Sequence, residues 1–210
     1  MENIVDILKR VNAVITNGHF VFASGRHSDI YVNKNALYVH TDETSKVCEL
    51  FAEKNKDLDI EVVVGPALGG IILSQWTAWH LSKIKGREIL SVYTEKDSNE
   101  DQVFKRDYDK LVKNKNVLVV EDITTTGSSV KKAVKKVQEV GGNVLMVCAM
   151  INRNPERVTS EVIGAPFSYL GAFEAEDFEE SECPMCQKNI PINTNVGHGK
   201  KYLEQKNVNN

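Results

Sequence analysis

Val117-Leu118-Val119-Val120-Glu121-Asp122-Ile123-Thr124-Thr125-Thr126-Gly127-Ser128-Ser129-Val130-Lys131 is the stretch whose reading decides the fold. Val117 to Val120 is an uninterrupted apolar run, the pattern of a strand buried on both faces of a parallel sheet. Two carboxylates, Glu121 and Asp122, follow where such a strand is expected to end. Next comes a loop of hydroxyls and one glycine, Thr124 to Ser129. A helical stripe then begins, with Ala133, Val134, Val137 and Val140 on one face and Gly141-Gly142 as its stop. A strand, a polar loop and a helix start together make an anion site, because first-turn amides lack intrahelical acceptors and the hydroxyls add donors. The two acids would repel a phosphate and are better suited to accept hydrogen bonds from sugar hydroxyls. A phosphate beside a vicinal diol describes a phosphorylated ribose.

This stretch resembles the phosphoribosyl-pyrophosphate motif of the type I phosphoribosyltransferases, also an apolar strand, two acids and a Thr/Gly/Ser loop. No Gly-x4-Gly-Lys-Ser/Thr run occurs, and no Gly-x-Gly-x-x-Gly follows a strand, which disfavours NTPase and dinucleotide-binding readings.

The 210 residues suit one α/β domain with appendages. A net charge of -3 argues against a general nucleic-acid binder. No apolar run reaches membrane-spanning length, and Met1-Glu2-Asn3 does not open a signal peptide. Four scattered cysteines do not make a disulfide framework, so a cytoplasmic location is expected. There is no internal repeat, and Gln205 to Asn210 reads as a frayed end.

Outward from the central stretch, Ile4, Ile7, Leu8, Val11, Val14 and Ile15 recur at helical spacing, and Gly18 is expected to end that helix. Gly18 to Asn33 then reads as two short strands around Ser24-Gly25, with Phe20 and Phe22 as hairpin core. This segment resembles the N-terminal hood of the orotate phosphoribosyltransferases. Many members carry a lysine just before the Ser-Gly, where this chain has Ala23.

A helix over about Thr41 to Lys56 should bury Val47, Leu50 and Phe51, with Thr41 as N-cap. Ile60 to Val64 reads as a second buried strand. It leads into Gly65-Pro66-Ala67-Leu68-Gly69-Gly70 and a helix with Ile72, Trp76, Trp79 and Leu81, the tryptophans read as core. Glycines there allow close backbone approach to a ligand. The resemblance makes Ala67, Leu68, Gly69 and Gly70 the pyrophosphate loop. Glu88 to Tyr93 is the third expected strand.

Thr94 to Asp109 is polar and charged, with little to bury. Its place before the central strand matches the mobile catalytic loop of the family. The well-known form of that loop holds Arg-Lys-Glu and a His-Gly pair. Glu95-Lys96-Asp97 and Phe104-Lys105-Arg106 are instead similar to a bacterial subfamily. The loop contains no histidine, so no histidine proton donor comes from it.

Asn143 to Ile151 reads as another buried strand ended by Asn152-Arg153-Asn154-Pro155. Family members often have Asp-Arg here, and their arginine lies against orotate; Arg153 matches and Asn152 departs. Phe167 to Leu170 is a last short strand. The tail carries Cys183-Pro184-Met185-Cys186, a pattern the same subfamily shares. One Cys-x-x-Cys supplies two of the four ligands of a structural zinc; His198 could be a third, and a partner chain could complete the set. Cys48 and Cys148 sit in apolar patterns and read as core.

The resemblance implies a central parallel sheet flanked by helices, in a single domain over residues 1–210. Its hood would comprise about residues 1–40 with the tail 171–210, and its core about 41–170. It implies transfer of phosphoribosyl from phosphoribosyl pyrophosphate to orotate, in a homodimer with shared active sites and without nucleic-acid or membrane partners. Glu121, Asp122, Ile123, Thr124, Thr125, Thr126, Gly127, Ser128 and Ser129 would hold ribose and 5′-phosphate, and Arg153 the base. Lys105, Arg106 and Lys96, with Asp122, would be catalytic. Mg2+ would bind through substrate oxygens and water, with no protein ligand of its own. The side chains leave open transfer to a purine or uracil, and a nucleotide sensor that has lost turnover.

Overall fold

The structure, a computed structural model, describes residues 3–22, 24–173 and 176–208. Ala23, and with it the departure from the family's lysine, lies outside the described residues. The N-terminal stretch forms α1 (Ile4–Arg10), β1 (Val14–Ile15), β2 (Phe20–Val21), β3 (His27–Ser28), β4 (Tyr31–Val32) and α2 (Lys34–Tyr38). The middle holds α3 (Thr41–Lys54), β5 (Val62–Pro66), α4 (Gly69–Lys85), β6 (Leu90–Lys96), β7 (Gln102–Val103) and α5 (Tyr108–Val112). It continues with β8 (Asn116–Thr124), α6 (Ser128–Glu139), β9 (Asn143–Asn152), α7 (Ser160–Ile163) and β10 (Phe167–Ala172). The tail adds a short 3-10 turn at Glu180–Glu182, then α8 (Pro184–Gln187) and α9 (Gly199–Val208). These elements form two compact units, Met1–Ile7 with His40–Glu174, and Leu8–Val39 with Ala175–Asn210.

The first unit is built on a six-stranded sheet in the order β10-β9-β8-β5-β6-β7. Every pairing is parallel except that of β7, which runs antiparallel on β6. Central β5 and β8 are apolar on both faces, as a sheet covered by helices on each side requires. Val62, Val64, Val117 and Val119 pack with Val130, Ala133, Val134 and Val137 of α6. Val63, Leu118 and Val120 are equally buried and, by strand alternation, face the opposite layer. From β5 the chain winds outward to β6, and from β8 it winds the other way to β9. The neighbouring ends of β5 and β8 therefore form the switch point of the sheet, where open α/β folds bind ligands.

Several expectations are corrected. Helix α1 stops at Arg10, Asn12 takes a left-handed conformation at φ 52, and Val14–Ile15 pairs with Tyr31–Val32 as a strand. Val14 and Ile15, two branched residues at helical spacing, are satisfied by strand pairing instead. Thr41 is the first residue of α3 rather than its cap; His40 occupies the cap and makes no side-chain capping bond. Leu50 is only partly buried. Trp79 is 48 % exposed, stacked edge-on against Trp76 and His80, so α4 does not bury it. Strand β6 begins at Leu90 and runs on to Lys96.

The second unit contains two small antiparallel pairs, β1 with β4 and β2 with β3. The Ser24-Gly25 turn closes the second: Phe22 N–H donates to the Arg26 carbonyl at 2.9 Å, and Gly25 N–H to that of Phe22 at 3.0 Å. Phe20 is fully buried, while Phe22 lies half-buried against Tyr31. The tail pairs with this hairpin through reciprocal 2.8 Å backbone bonds between His27 and Phe178. Arg26 Nε donates to Asp177 Oδ1 at 2.6 Å beside them. Helix α9 continues through Val208, so Gln205 lies in a helix; Asn209 and Asn210 are outside the described residues.

Candidate active site

The central stretch runs further as a strand than its apolar run suggests. Strand β8 continues through both acids to Thr124, with Glu121 6 % and Asp122 3 % exposed. The register carries them along β9, with Glu121 opposite Ala149 and Thr124 opposite Asn152. Each carboxylate accepts the next backbone amide, Asp122 N–H to Glu121 Oε1 at 2.9 Å and Ile123 N–H to Asp122 Oδ1 at 2.6 Å. Two buried acids in sequence carry a large desolvation cost unless hydrogen-bond donors offset it.

Thr125, Thr126 and Gly127 turn the chain into α6, whose first turn contains Ser128 and Ser129. Gly127 sits in the left-handed region at φ 73, and a Cβ there would lie 2.7 Å from Ile163 Cδ1, so the turn favours glycine. Thr125, Thr126, Ser128 and Ser129 are exposed. Glu121 and residues 123–130 line a pocket of about 190 Å3. Its hydroxyls and the first-turn amides of α6 suit a phosphate-sized anion.

The second expected anion loop follows the adjacent strand. Pro66 ends β5, Leu68 caps α4, and Gly69 and Gly70 fall in that helix's first turn. Ala67-Leu68 is a cis peptide bond, and Ala67 N–H donates to the Thr94 carbonyl at 2.8 Å, which fixes the loop to the end of β6. Gly65 and Gly70 pack backbone to backbone: a Cβ on Gly65 would lie 1.9 Å from the Gly70 carbonyl oxygen. Leu68 is 82 % exposed.

The phosphoribosyl transferase domain family matches residues 34–163, the span that holds both loops. The chain belongs to the phosphoribosyltransferase family. It is 32 % identical over 191 residues to orotate phosphoribosyltransferase of Caldanaerobacter subterraneus, covering 91 % of this chain and 94 % of the relative. With that of Caldicellulosiruptor bescii it shares 35 % over 189 residues, covering 90 % and 93 %. Among solved structures, the Mycobacterium tuberculosis orotate phosphoribosyltransferase in complex with 5-phospho-alpha-D-ribosyl 1-diphosphate superposes with a TM-score of 0.62. Identity there is 25 %, over 81 % of this chain and 96 % of that one.

In this phosphoribosyltransferase Arg153 stands just beyond β9, its backbone N–H donating to the Thr124 carbonyl at 2.8 Å. That bond places Arg153 beside the hydroxyl loop. Asn152, the residue that departs from the family's Asp-Arg, is fully buried and ties three neighbours together. Its Oδ1 accepts from Thr124 Oγ1 at 3.2 Å and Asn154 N–H at 3.1 Å, and its Nδ2 donates to the Val158 carbonyl at 3.2 Å. The amide meets acceptors and donors at once, which a carboxylate cannot do.

The charged segment of the phosphoribosyltransferase folds as a hairpin, with Glu95 opposite Val103 and Lys96 opposite Gln102. Asp97 Oδ1 closes its turn by accepting from Asn99 and Asp101 amides at 2.8 and 3.0 Å. Glu95 gathers two of the three candidate cations. Lys105 Nζ lies 2.7 Å from its Oε2, and Arg106 pairs with its Oε1 and packs over the Tyr93 ring. Lys105 first and Arg106 second hold the Glu95 carboxyl below the ordinary carboxylate range. Lys96 pairs with Glu100. Lys132 of α6, not anticipated from sequence, anchors the turn through Asp101 at 2.9 Å and the Glu100 carbonyl at 2.8 Å. Lys132 accordingly depresses the Asp101 carboxyl.

Cys48 and Cys148 are buried, and burial pushes their thiols up to about 12 and about 11, as inert core cysteines. His198 is exposed, its backbone N–H donating to the Val21 carbonyl at 2.9 Å, and among the described residues it does not join the tail cysteines. Among the described residues no helix is long and apolar enough to cross a membrane.

Proposed function

We propose that the chain is an orotate phosphoribosyltransferase, acting in the cytoplasm, which joins orotate to phosphoribosyl pyrophosphate to give orotidine 5′-phosphate and pyrophosphate. The observation that carries this reading is the pair of anion-type loops at the adjacent ends of β5 and β8, with the Glu121–Asp122 pair leading into one of them. A substrate with phosphate at one end, pyrophosphate at the other and a diol between matches that arrangement.

Thr124 to Ser129 and the start of α6 hold the 5′-phosphate. Glu121 and Asp122 accept hydrogen bonds from the ribose hydroxyls, and residues 67–70 face the pyrophosphate. Arg153 meets the orotate carboxylate with paired hydrogen bonds. As the bond from the anomeric carbon to pyrophosphate breaks, a ring nitrogen of orotate forms the new bond and gives up its proton to the departing pyrophosphate or to water. The protein's work is positioning and stabilisation of the leaving charge. Lys105, Arg106 and Lys96 supply that charge, reaching the neighbouring subunit's site in a homodimer.

Two carboxylates beside threonine hydroxyls are hard oxygen donors of the type Mg2+ takes. The cation would arrive on the substrate, held through substrate oxygens and water. When bound, Mg2+ spreads the negative charge of the pyrophosphate.

The test is loss of orotate absorbance with phosphoribosyl pyrophosphate and Mg2+, run beside uracil, adenine, guanine and hypoxanthine. Orotate should be consumed at a kcat/KM at least tenfold above any other base. Preference for another base would overturn the choice of orotate, and inactivity towards all of them would overturn the enzymatic reading.

A further inference from the structure

The second unit brings together four residues that the reaction does not use. His19 lies just before β2 and His27 opens β3; Cys183 and Cys186 flank the first turn of α8. Their ligand atoms, one from each residue, all lie within 4.8 Å of one another. Cys186 Sγ is 3.4 Å from His27 Nδ1 and 3.7 Å from His19 Nε2, and Cys183 Sγ is 3.7 Å from the same His19 nitrogen. His19 Nε2 and His27 Nδ1 are 2.8 Å apart. His19, His27 and Cys183 are buried to 2 % exposure or less.

We propose that His19, His27, Cys183 and Cys186 form a structural zinc site that clamps the C-terminal tail to the N-terminal hairpin.

The distances fit the ion. Zinc–sulfur and zinc–nitrogen bonds of about 2.3 and 2.0–2.1 Å make a tetrahedron whose edges are roughly 3.8 Å between sulfurs, 3.6 Å between sulfur and nitrogen, and 3.3 Å between nitrogens. Three of the four sulfur–nitrogen separations fall close to that edge, and the fourth pair, Cys183 with His27, lies within 4.8 Å. The two nitrogens stand at the length of a hydrogen bond between imidazoles, and a small ring rotation opens them to the tetrahedral value.

Both imidazoles are set in place by their surroundings. His19 Nδ1–H donates to the Ile190 carbonyl at 2.7 Å, which leaves the lone pair on Nε2, the atom facing the sulfurs. Its backbone carbonyl accepts from Asn193 N–H at 2.7 Å, and His27 is held by its paired bonds to Phe178. Cys186 N–H points at Cys183 Sγ, 3.5 Å away, on the turn made by Pro184 and Met185. A sulfur that accepts an amide hydrogen is stabilised as the thiolate that binds metal.

The donor set selects the ion and its role. Two thiolates and two neutral imidazoles exactly offset the charge of a divalent cation in total, so the buried cluster is neutral when loaded. Sulfur and imidazole favour zinc over Mg2+, which takes hard oxygen ligands. Four protein ligands leave no open position, the mark of a structural rather than a catalytic site. The clamp joins segments more than 150 residues apart in sequence (His27 to Cys186). Such a bond stabilises a small unit whose own core is limited.

The experiment is metal analysis of the full chain, produced with zinc in the medium and purified under reducing conditions without chelator. The expected result is close to one zinc per chain, retained through dialysis, and lost by at least tenfold in Cys186→Ser and His27→Gln. The wild-type protein, stripped and reloaded with Co2+, should show intense tetrahedral d–d bands and a thiolate-to-cobalt charge-transfer band. Chelation of the zinc should also lower the unfolding temperature. The Co2+ spectrum decides the matter where a variant fails to fold. Weak octahedral cobalt bands, or a reduced wild-type protein that retains no zinc, would overturn the site. So would unchanged zinc in folded Cys186→Ser, or recovery of a metal-free Cys183–Cys186 disulfide.

Discussion

Gly65 and Gly70 meet backbone to backbone where β5 gives way to α4. A Cβ on Gly65 would sit 1.9 Å from the Gly70 carbonyl oxygen, and one on Gly70 would sit 2.7 Å from the Gly65 carbonyl carbon. The atoms in the way are main chain, so no side-chain rotation relieves the overlap. Gly65→Ala should lose about 3 kcal/mol or more of stability, at or beyond the upper range for overpacking. Urea unfolding checks this. A change within about 0.5 kcal/mol, the size of a neutral surface substitution, would contradict the close contact.

The buried acids of β8 give a second prediction. Hydrogen bonds to charged groups are worth about 1.5–3 kcal/mol, so Glu121→Gln and Asp122→Asn should each lower kcat/KM for phosphoribosyl pyrophosphate about tenfold or more. Circular dichroism of the double variant should remain that of the folded protein. Unchanged kinetics in the folded double variant would remove the ribose role from both residues.

Arg153 should act on the base. Arg153→Ala is expected to raise KM for orotate about tenfold or more, the loss of charge-assisted hydrogen bonds, with a smaller change in KM for phosphoribosyl pyrophosphate. Equal changes in both constants would make Arg153 a structural residue.

Glu95 holds Lys105 and Arg106 within the hairpin. Its carboxyl is depressed by those cations, so the pairing is complete above the ordinary carboxylate range and is lost as pH falls through the depressed folded value. Glu95→Gln should speed amide exchange across the Glu95–Val103 pairing and abolish its acid dependence. It should also lower KM for phosphoribosyl pyrophosphate, by no more than about fivefold, since exposed ion pairs are weak. A rise in that KM would mean that Glu95 orients the cations for use instead of withholding them.

Shared sites can be tested by mixing. Folded Arg106→Ala and folded Asp122→Asn, each at least tenfold impaired, should regain activity together if the hairpin cations serve the neighbouring subunit. In a mixed dimer one of the two sites then keeps both residues. Heterodimers that form without regaining activity would contradict action in trans.

Much of the first unit was legible in sequence because its signals are local. Apolar runs at Val62–Val64 and Val117–Val120, a period near 3.6 in Val130–Val137 and the glycine at 127 depend on neighbours a few residues away. The hydroxyl loop and its acids were legible for the same reason. Their strand context was not, since extension of β8 through Glu121 and Asp122 depends on pairing with Ala149 to Asn152.

Elsewhere tertiary structure decided between local alternatives. Val14 and Ile15 fit a helix as well as a strand, and pairing with Tyr31 and Val32 settled the choice. The charged run gave no sign that Glu95 would collect Lys105 and Arg106, or that Lys132 would anchor its turn. Cys183 and Cys186 announced a possible metal pair, but spacing could not tell His198 from His19 and His27 as their companions. The sequence by itself determined the apolar cores of β5 and β8, helix α6 and the hydroxyl loop between β8 and α6, because backbone propensity and periodicity act over short range. Only the tertiary structure decided which distant side chains share a partner, because burial, charge pairing and ligand geometry are properties of neighbours in space.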